Sequence, residues 1–176
     1  MRIIITLLLF VGQIIARNPD AVGSNGMVVS SNELASQVGI DILKNGGNAI
    51  DAAIAMGFAL AVVHPGAGNI GGGGFMVIRL DDGTVTTIDF REVAPSGASR
   101  DMFLDDSMNV IEGKSWNTSW AAGVPGSVAG FGMAHEKFGS TKWEKLVIPA
   151  VQLAKNGFPL DWQNIMYINN PYYQEY

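Results

Sequence analysis

Three features of the 176-residue sequence predict a layered α/β (α+β) fold. Apolar residues recur at helical spacing in several segments, which is the signature of amphipathic helices. One stretch, Ala52 to Val63, is apolar or glycine throughout, as expected of a helix enclosed between layers. A glycine-led pair of short apolar runs flanks Asp81-Asp82-Gly83, the signature of a β-hairpin.

The elements follow in chain order. Met1-Arg2, a largely apolar run of nine residues from Ile3 to Val11, and a small residue at Ala16 have the order of a secretory signal. Residues 1–16 are therefore expected to be removed, with residues 17–176 forming the mature part. A membrane-spanning helix needs about 20 apolar residues, so this run is too short to span. Met27-Val28-Val29 reads as a short buried strand. Ser30 with Glu33 has the form of a capping box. Leu34, Val38 and Ile42 then mark one face of a helix that Asn45-Gly46-Gly47 stops. Asn48 caps the next helix with Asp51 at its third position, and His64-Pro65 ends it. Phe75 to Leu80 and Thr84 to Phe90 form the hairpin, with Ile88 and Phe90 on one face. Residues 101–120 read as a loop. Gly123-Val124-Pro125-Gly126 reads as a turn. Ser127 to Phe138 and Trp143 to Asn156 read as helices, the second with Leu146, Ala150, Leu153 and Ala154 inward. All four tyrosines fall in the last ten residues with no capping element after Tyr173, which predicts a chain cut short.

Composition excludes several functions. Eleven basic and 16 acidic residues leave a net charge of −5, so no basic face for nucleic acid is expected. Hydrophobic residues make up 48%, enough for a substantial core. With no cysteine there is no disulfide scaffold, thiolate nucleophile or cysteine–zinc site. Two histidines, His64 and His135, rule out a histidine-rich metal site within this chain. Neither a metal nor a cofactor is expected.

Motifs narrow the chemistry further. Gly66-x-Gly68-x-x-Gly71 matches the dinucleotide fingerprint as a string, but that fingerprint must follow a strand and open a helix. Here a helix precedes it and a strand follows. Close approach of backbones explains the six glycines between Gly66 and Gly74 better. His135-Glu136 has Gly139 where a zinc helix needs its second histidine. No Gly-x-Ser-x-Gly elbow exists. His64, at a helix end, suits a structural role. Asn117-Thr118-Ser119 matches a glycan acceptor, informative only in a cell that glycosylates. Asp89-Phe90-Arg91-Glu92, after an apolar strand and before a turn, is the notable charge group. Arginine offers a planar fork for a carboxylate ligand. An ion pair of Arg91 with Asp89 or Glu92 is the alternative.

An ordered set of motifs adds a resemblance. Gly26–Asn32, Gly46–Ala55, His64-Pro65, Asn69–Met76, Asp89–Glu92 with Ala94-Pro95, and Gly123–Val128 closely resemble the start of gamma-glutamyltranspeptidases, the glutathione hydrolase family. The resemblance runs from about residue 20 to 160. It implies part of the four-layer α-β-β-α sandwich of N-terminal nucleophile hydrolases, incomplete here. It also implies a precursor that cleaves itself into large and small subunits, with this chain as the N-terminal part of the large one. The nucleophile of that family is a threonine at the small subunit's N-terminus, so no catalytic residue is expected in this chain. The implied activity is γ-glutamyl transfer and hydrolysis of glutathione and related compounds through an acyl-enzyme. The implied partners are small γ-glutamyl substrates and the small subunit, and the implied location is periplasmic or extracellular. Arg91 is the implied substrate-binding residue, pairing with the α-carboxylate of the γ-glutamyl group. Gly71 to Gly74 are not assigned to the oxyanion hole, because those glycines belong to the small subunit. Thr86-Thr87, followed by Ile88 in a strand, does not supply the family's Thr-Thr-His nucleophile region, so the chain alone is expected to be inactive. A related acylase acting on glutaryl-cephalosporins is the alternative enzyme, in which Arg91 should matter less if the acyl group lacks an amino acid's α-carboxylate pattern. A non-catalytic secreted module is the alternative outside enzymes.

Overall fold

The computed structural model describes residues 21–68 and 70–171. The signal-like segment 1–16, Asn69 and the tyrosines Tyr172, Tyr173 and Tyr176 lie outside the described residues. The described residues form five helices and one hairpin: α1 (Glu33–Lys44), α2 (Ala49–Val63), β1 (Phe75–Arg79), β2 (Val85–Asp89), α3 (Ser127–Phe138), α4 (Trp143–Asn156) and α5 (Trp162–Asn169). A 3₁₀ turn spans Ser119–Ala121.

Helix α2 is the centre of the packing, with α1, α3 and α4 around it. Its near-uniform apolar composition requires this, because no face of it suits water. Ala52, Ile54, Ala55, Met56, Phe58, Ala59 and Val63 are buried along its length. Full burial of a side chain the size of Ile54 is worth about 1.5–3 kcal/mol. Phe58 meets Phe131 of α3 edge-on at 5.3 Å and Trp143 of α4 edge-on at 5.5 Å, so one aromatic ties three helices. No helix among the described residues is long and apolar enough to cross a membrane.

The hairpin is antiparallel, with Phe75 opposite Asp89 and Ile78 opposite Thr86. Ile78 and Ile88 join the core that contains Phe58 and Ala134. The period of two puts Phe75, Val77, Val85 and Thr87 on the opposite face, where all four are exposed. Gly83 closes the turn with φ +86°, a conformation that disfavours a side chain.

Most of the expected elements are present, and α3 and α4 have the expected bounds. Five differences have physical causes. The cap of α1 is Asn32, whose side chain accepts from the Leu34 N–H at 2.9 Å. Ser30 instead bonds the Asn32 carbonyl and the Ser36 hydroxyl. Met27-Val28-Val29 is not a strand; Met27 and Val29 are exposed, and Val28 alone packs against the core. Val124, within the expected turn, pairs with Val93 as an isolated antiparallel bridge. Ala154 is exposed, because the last turn of α4 turns Leu153, not Ala154, toward Ala35, Ala59 and Val63. Helix α5 has no counterpart in the sequence reading. It is capped by Asp161, which accepts from the Asn164 N–H at 2.8 Å. Its amide Asn164 is buried and donates to the Val63 carbonyl at 2.9 Å.

Candidate functional site

Arg91 follows directly on β2, and three separated sequence motifs meet around its backbone. Phe90 donates its N–H to the Gly74 carbonyl at 2.9 Å, extending the hairpin ladder by one residue. Gly126 and Ser127, at the start of α3, both donate to the Gly72 carbonyl, at 2.9 and 3.0 Å. Val93 and Val124 exchange both backbone hydrogen bonds, at 3.3 and 2.8 Å. The segments 72–74, 89–93 and 123–127 therefore form one backbone cradle.

The glycines permit that closeness. A Cβ on Gly73 would collide with the Phe90 carbonyl and lie 2.8 Å from the Glu92 nitrogen. A Cβ on Gly126 would also collide with the Phe90 carbonyl. These are backbone neighbours with little room to move. Close approach, not phosphate binding, thus accounts for this part of the glycine run.

The Arg91 side chain leaves the cradle outward. Its side chain is 63% exposed. Its Nε donates to Glu92 Oε2 at 3.3 Å, and its guanidinium carbon lies 5.8 Å from the centre of the Phe75 ring. Its backbone N–H donates to Asp89 Oδ1 at 3.0 Å. Thus Asp89 fixes the main chain and Glu92 orients the side chain. The expected alternative, an ion pair with Glu92, is present through Nε alone. The two terminal guanidinium nitrogens have no acceptor among the described residues, so the fork's outer edge is open to a carboxylate. The Glu92 carboxyl is held below its ordinary value. Its own backbone N–H contributes most; the Arg91 hydrogen bond and charge add to this against partial desolvation.

The other residues singled out in the sequence are structural. His135 Nε2 lies 2.6 Å from the Thr141 carbonyl, and its ring packs edge-on against Trp143. The His64 N–H closes the last turn of α2 on the Leu60 carbonyl. Thr118 caps the 3₁₀ turn and donates to the Lys114 carbonyl. Among the described residues no three potential metal ligands converge. Asp51, read from the sequence as part of the cap of α2, is also buried, and its carboxylate accepts from Ser140 and Thr141, which the sequence reading did not foresee.

Known proteins carry the same segment. A family model described as gamma-glutamyltranspeptidase matches residues 35–175. The glutathione hydrolase proenzyme of Escherichia coli K12 is 58% identical over 133 residues, covering 76% of this chain and 23% of that protein. That of Bacillus subtilis 168 is 47% identical over 144 residues, covering 80% and 24%. The chain thus spans about a quarter of the length of the curated relatives it matches. Among solved structures, Helicobacter pylori gamma-glutamyltranspeptidase is 44% identical with a TM-score of 0.80, over 90% of this chain and 48% of that one. A cephalosporin acylase from Bacillus halodurans is 26% identical with a TM-score of 0.64, over 86% and 30%. The fold class is that of N-terminal nucleophile hydrolases, of which the described residues form a mixed α/β part. With the family's model matched over most of its length and its helices and hairpin arranged as in the family's solved members, this chain belongs to the gamma-glutamyltranspeptidase family.

Proposed function

We propose that this chain is the N-terminal part of the large subunit of an exported glutathione hydrolase and γ-glutamyl transferase, and that Arg91 binds the donor's α-carboxylate. The observation that carries this reading is the open fork of Arg91 on a rigid backbone cradle. A guanidinium with Nε occupied still offers two parallel N–H donors, the geometry a carboxylate accepts. A charge-assisted hydrogen bond of this kind is worth about 1.5–3 kcal/mol. The family name and the 58% identity to a glutathione hydrolase proenzyme support the substrate class.

The chemistry follows from the family. A threonine freed at the small subunit's N-terminus attacks the γ-glutamyl carbonyl, and its own α-amine serves as base. The carbonyl carbon gains the threonine oxygen and releases the amine of the leaving group, leaving an acyl-enzyme. Water then gives glutamate, and an amino acid or peptide gives a transfer product. Arg91 takes no part in bond making; it holds the donor so that the scissile carbonyl meets the nucleophile. Removal of residues 1–16 on export would begin the mature chain at Arg17.

The acylase reading rests on the similarity to the cephalosporin acylase. A glutaryl group keeps the terminal carboxylate and lacks only the α-amine, so the Arg91 fork suits both donors and, against the expectation from sequence, does not separate them. The higher identity to glutathione hydrolases favours the γ-glutamyl donor. The test is Arg91→Ala in the complete precursor. A strongly raised KM for γ-glutamyl-p-nitroanilide with self-cleavage intact is expected, and an unchanged KM removes Arg91 from the site.

A further inference from the structure

The ring of Phe90 occupies a notch in helix α3 that exists because residue 130 is glycine. We propose that Gly130 is a positioning residue: the notch seats Phe90, and through Phe90 it sets the place of Arg91. This rests on the reading of Arg91 as the donor-carboxylate ligand.

Four observations carry it. First, a Cβ on Gly130 would collide with Phe90 Cγ and lie 2.5 Å from both Phe90 Cβ and Cδ1. Phe90 Cβ is fixed by the backbone, so no change of rotamer relieves that contact; only a shift of the Phe90 backbone does. Second, the ring is held on its other sides. Gly74 faces it closely enough that a Cβ there would lie 3.1 Å from Cε2, and Phe131 meets it edge-on at 5.8 Å. Third, Phe90 cannot shift alone. Its N–H is bonded to Gly74, and its carbonyl is crowded by both Gly73 and Gly126. Arg91 is the next residue, one planar peptide away, so a displaced Phe90 carries Arg91 with it. Fourth, glycine is a poor helix former, and Gly130 is not among the glycines with positive φ. Backbone conformation therefore does not demand glycine here, whereas the notch does. Gly132 in the same helix has nothing within 4 Å of its would-be Cβ. It supplies an internal control.

The experiment uses the complete precursor, allowed to process itself, with four variants: Gly130→Ala, Gly132→Ala, Phe90→Leu and Arg91→Ala. Hydrolysis is followed with two donors, γ-glutamyl-p-nitroanilide and 4-aminobutyryl-p-nitroanilide, the second lacking only the α-carboxylate. Gly130→Ala is expected to raise KM for the γ-glutamyl donor about tenfold with kcat nearly unchanged, because misplacement of a binding group acts on the donor that uses it. KM for the 4-aminobutyryl donor stays at its starting value, and Gly132→Ala changes neither. Phe90→Leu, which keeps Cβ and Cγ but loosens the seat, gives the same selective rise and serves if Gly130→Ala does not process. Equal KM changes for both donors, or a loss of processed enzyme with normal KM in both Gly130→Ala and Phe90→Leu, assign the notch to stability alone and overturn the proposal. If Arg91→Ala itself leaves KM unchanged, the reading of Arg91 fails first and this inference falls with it. If Arg91→Ala raises KM and the notch variants do not, the positioning role alone is wrong.

Discussion

Ser140 donates its hydroxyl hydrogen to Asp51 Oδ2 at 2.6 Å, joining the start of α2 to the α3–α4 connection across 89 positions of sequence. The same carboxylate accepts from the backbone N–H groups of Asn48, Ser140 and Thr141. Asp51 is fully buried, and these donors replace the water it has lost. Asn48 adds a second strap by donating to the Phe138 carbonyl at 2.7 Å. The far end of α3 begins at Gly126, beneath Phe90 and Arg91. One helix thus connects the buried carboxylate with the candidate site.

The acid limb of stability should depend on Asp51. Burial raises its pKa, but the Ser140 hydroxyl and the backbone donors outweigh that and hold it below the ordinary 3.8. A carboxyl with a lowered folded-state pKa stabilises the fold fully above its unfolded value and loses that contribution as pH falls through the folded value. Thermal melting should therefore be insensitive to this group at neutral pH and weaken below about pH 4. Asp51→Asn should cost about 1.5–3 kcal/mol at pH 7, the worth of hydrogen bonds to a charged group. It should also flatten the acid limb. Melting curves between pH 3 and pH 7 decide this; an Asp51→Asn curve parallel to the parent's would exclude the carboxylate as the cause.

Arg91→Lys probes the fork separately from the charge. Lysine keeps the positive charge but presents a point ammonium, not two parallel donors. Donor affinity should fall by roughly tenfold, less than for Arg91→Ala, since a charge-assisted bond survives while the bidentate geometry is lost. Steady-state KM for γ-glutamyl-p-nitroanilide in both variants measures the difference. Equal KM in Arg91→Lys and the parent would mean that charge alone, not the planar fork, binds the donor.

Much of this arrangement was legible in the sequence, for reasons that differ by element. The bounds of α3 and α4 follow from glycine and apolar period, which are local properties. Asn48 and Asp51 announce the capping box of α2, but nothing local says that Asp51 also reaches Ser140. The cap of α1 sits at Asn32, not Ser30, because Asn32 is held from a distance: its amide donates to Asp161 at 3.0 Å and to the Val63 carbonyl at 3.5 Å. Helix α5 escaped notice because it is short and largely exposed, so its sequence carries only a weak period. At the site, Arg91 stood out by its motif, whereas the notch at Gly130 is visible only when Phe90 is placed against it.

The Asn32 node predicts a local effect. Its side chain caps α1 through Oδ1 and holds Asp161 and Val63 through Nδ2, while Asn164 bonds the same Val63 carbonyl. Asn32→Ala should cost about 1–2 kcal/mol through the lost cap. It should also free α5 first, because Asp161 loses its tether. Limited proteolysis with mass spectrometry should show new early cleavage between residues 157 and 170. Protection there equal to the parent's would show that α5 is held without Asn32, by the Asn164–Val63 hydrogen bond and its apolar contacts.

The outward face of the hairpin makes the last prediction. Phe75, Val77 and Val85 are 64%, 73% and 61% exposed on that face, although Ile78 and Ile88 are buried on the other. Thr87, Arg79 and Asp89 share that face, but the three adjoining large apolar side chains are more than a face left in water needs, and suit a face that a further layer covers. The chain covers 48% of the Helicobacter pylori structure it matches, so much of that protein has no counterpart among these residues. Packing of a further layer on Phe75, Val77 and Val85 would also flank Arg91, whose guanidinium lies over Phe75. A charge at Val77 would then be buried without a partner, at a cost of several kcal/mol. Val77→Asp in the complete precursor should abolish self-cleavage and donor hydrolysis together, while Thr84→Glu at the exposed turn leaves both intact. Gel analysis of the processed subunits reads the result directly. Normal processing of Val77→Asp would mean that this face stays in water, and that Arg91 is reached from an open surface.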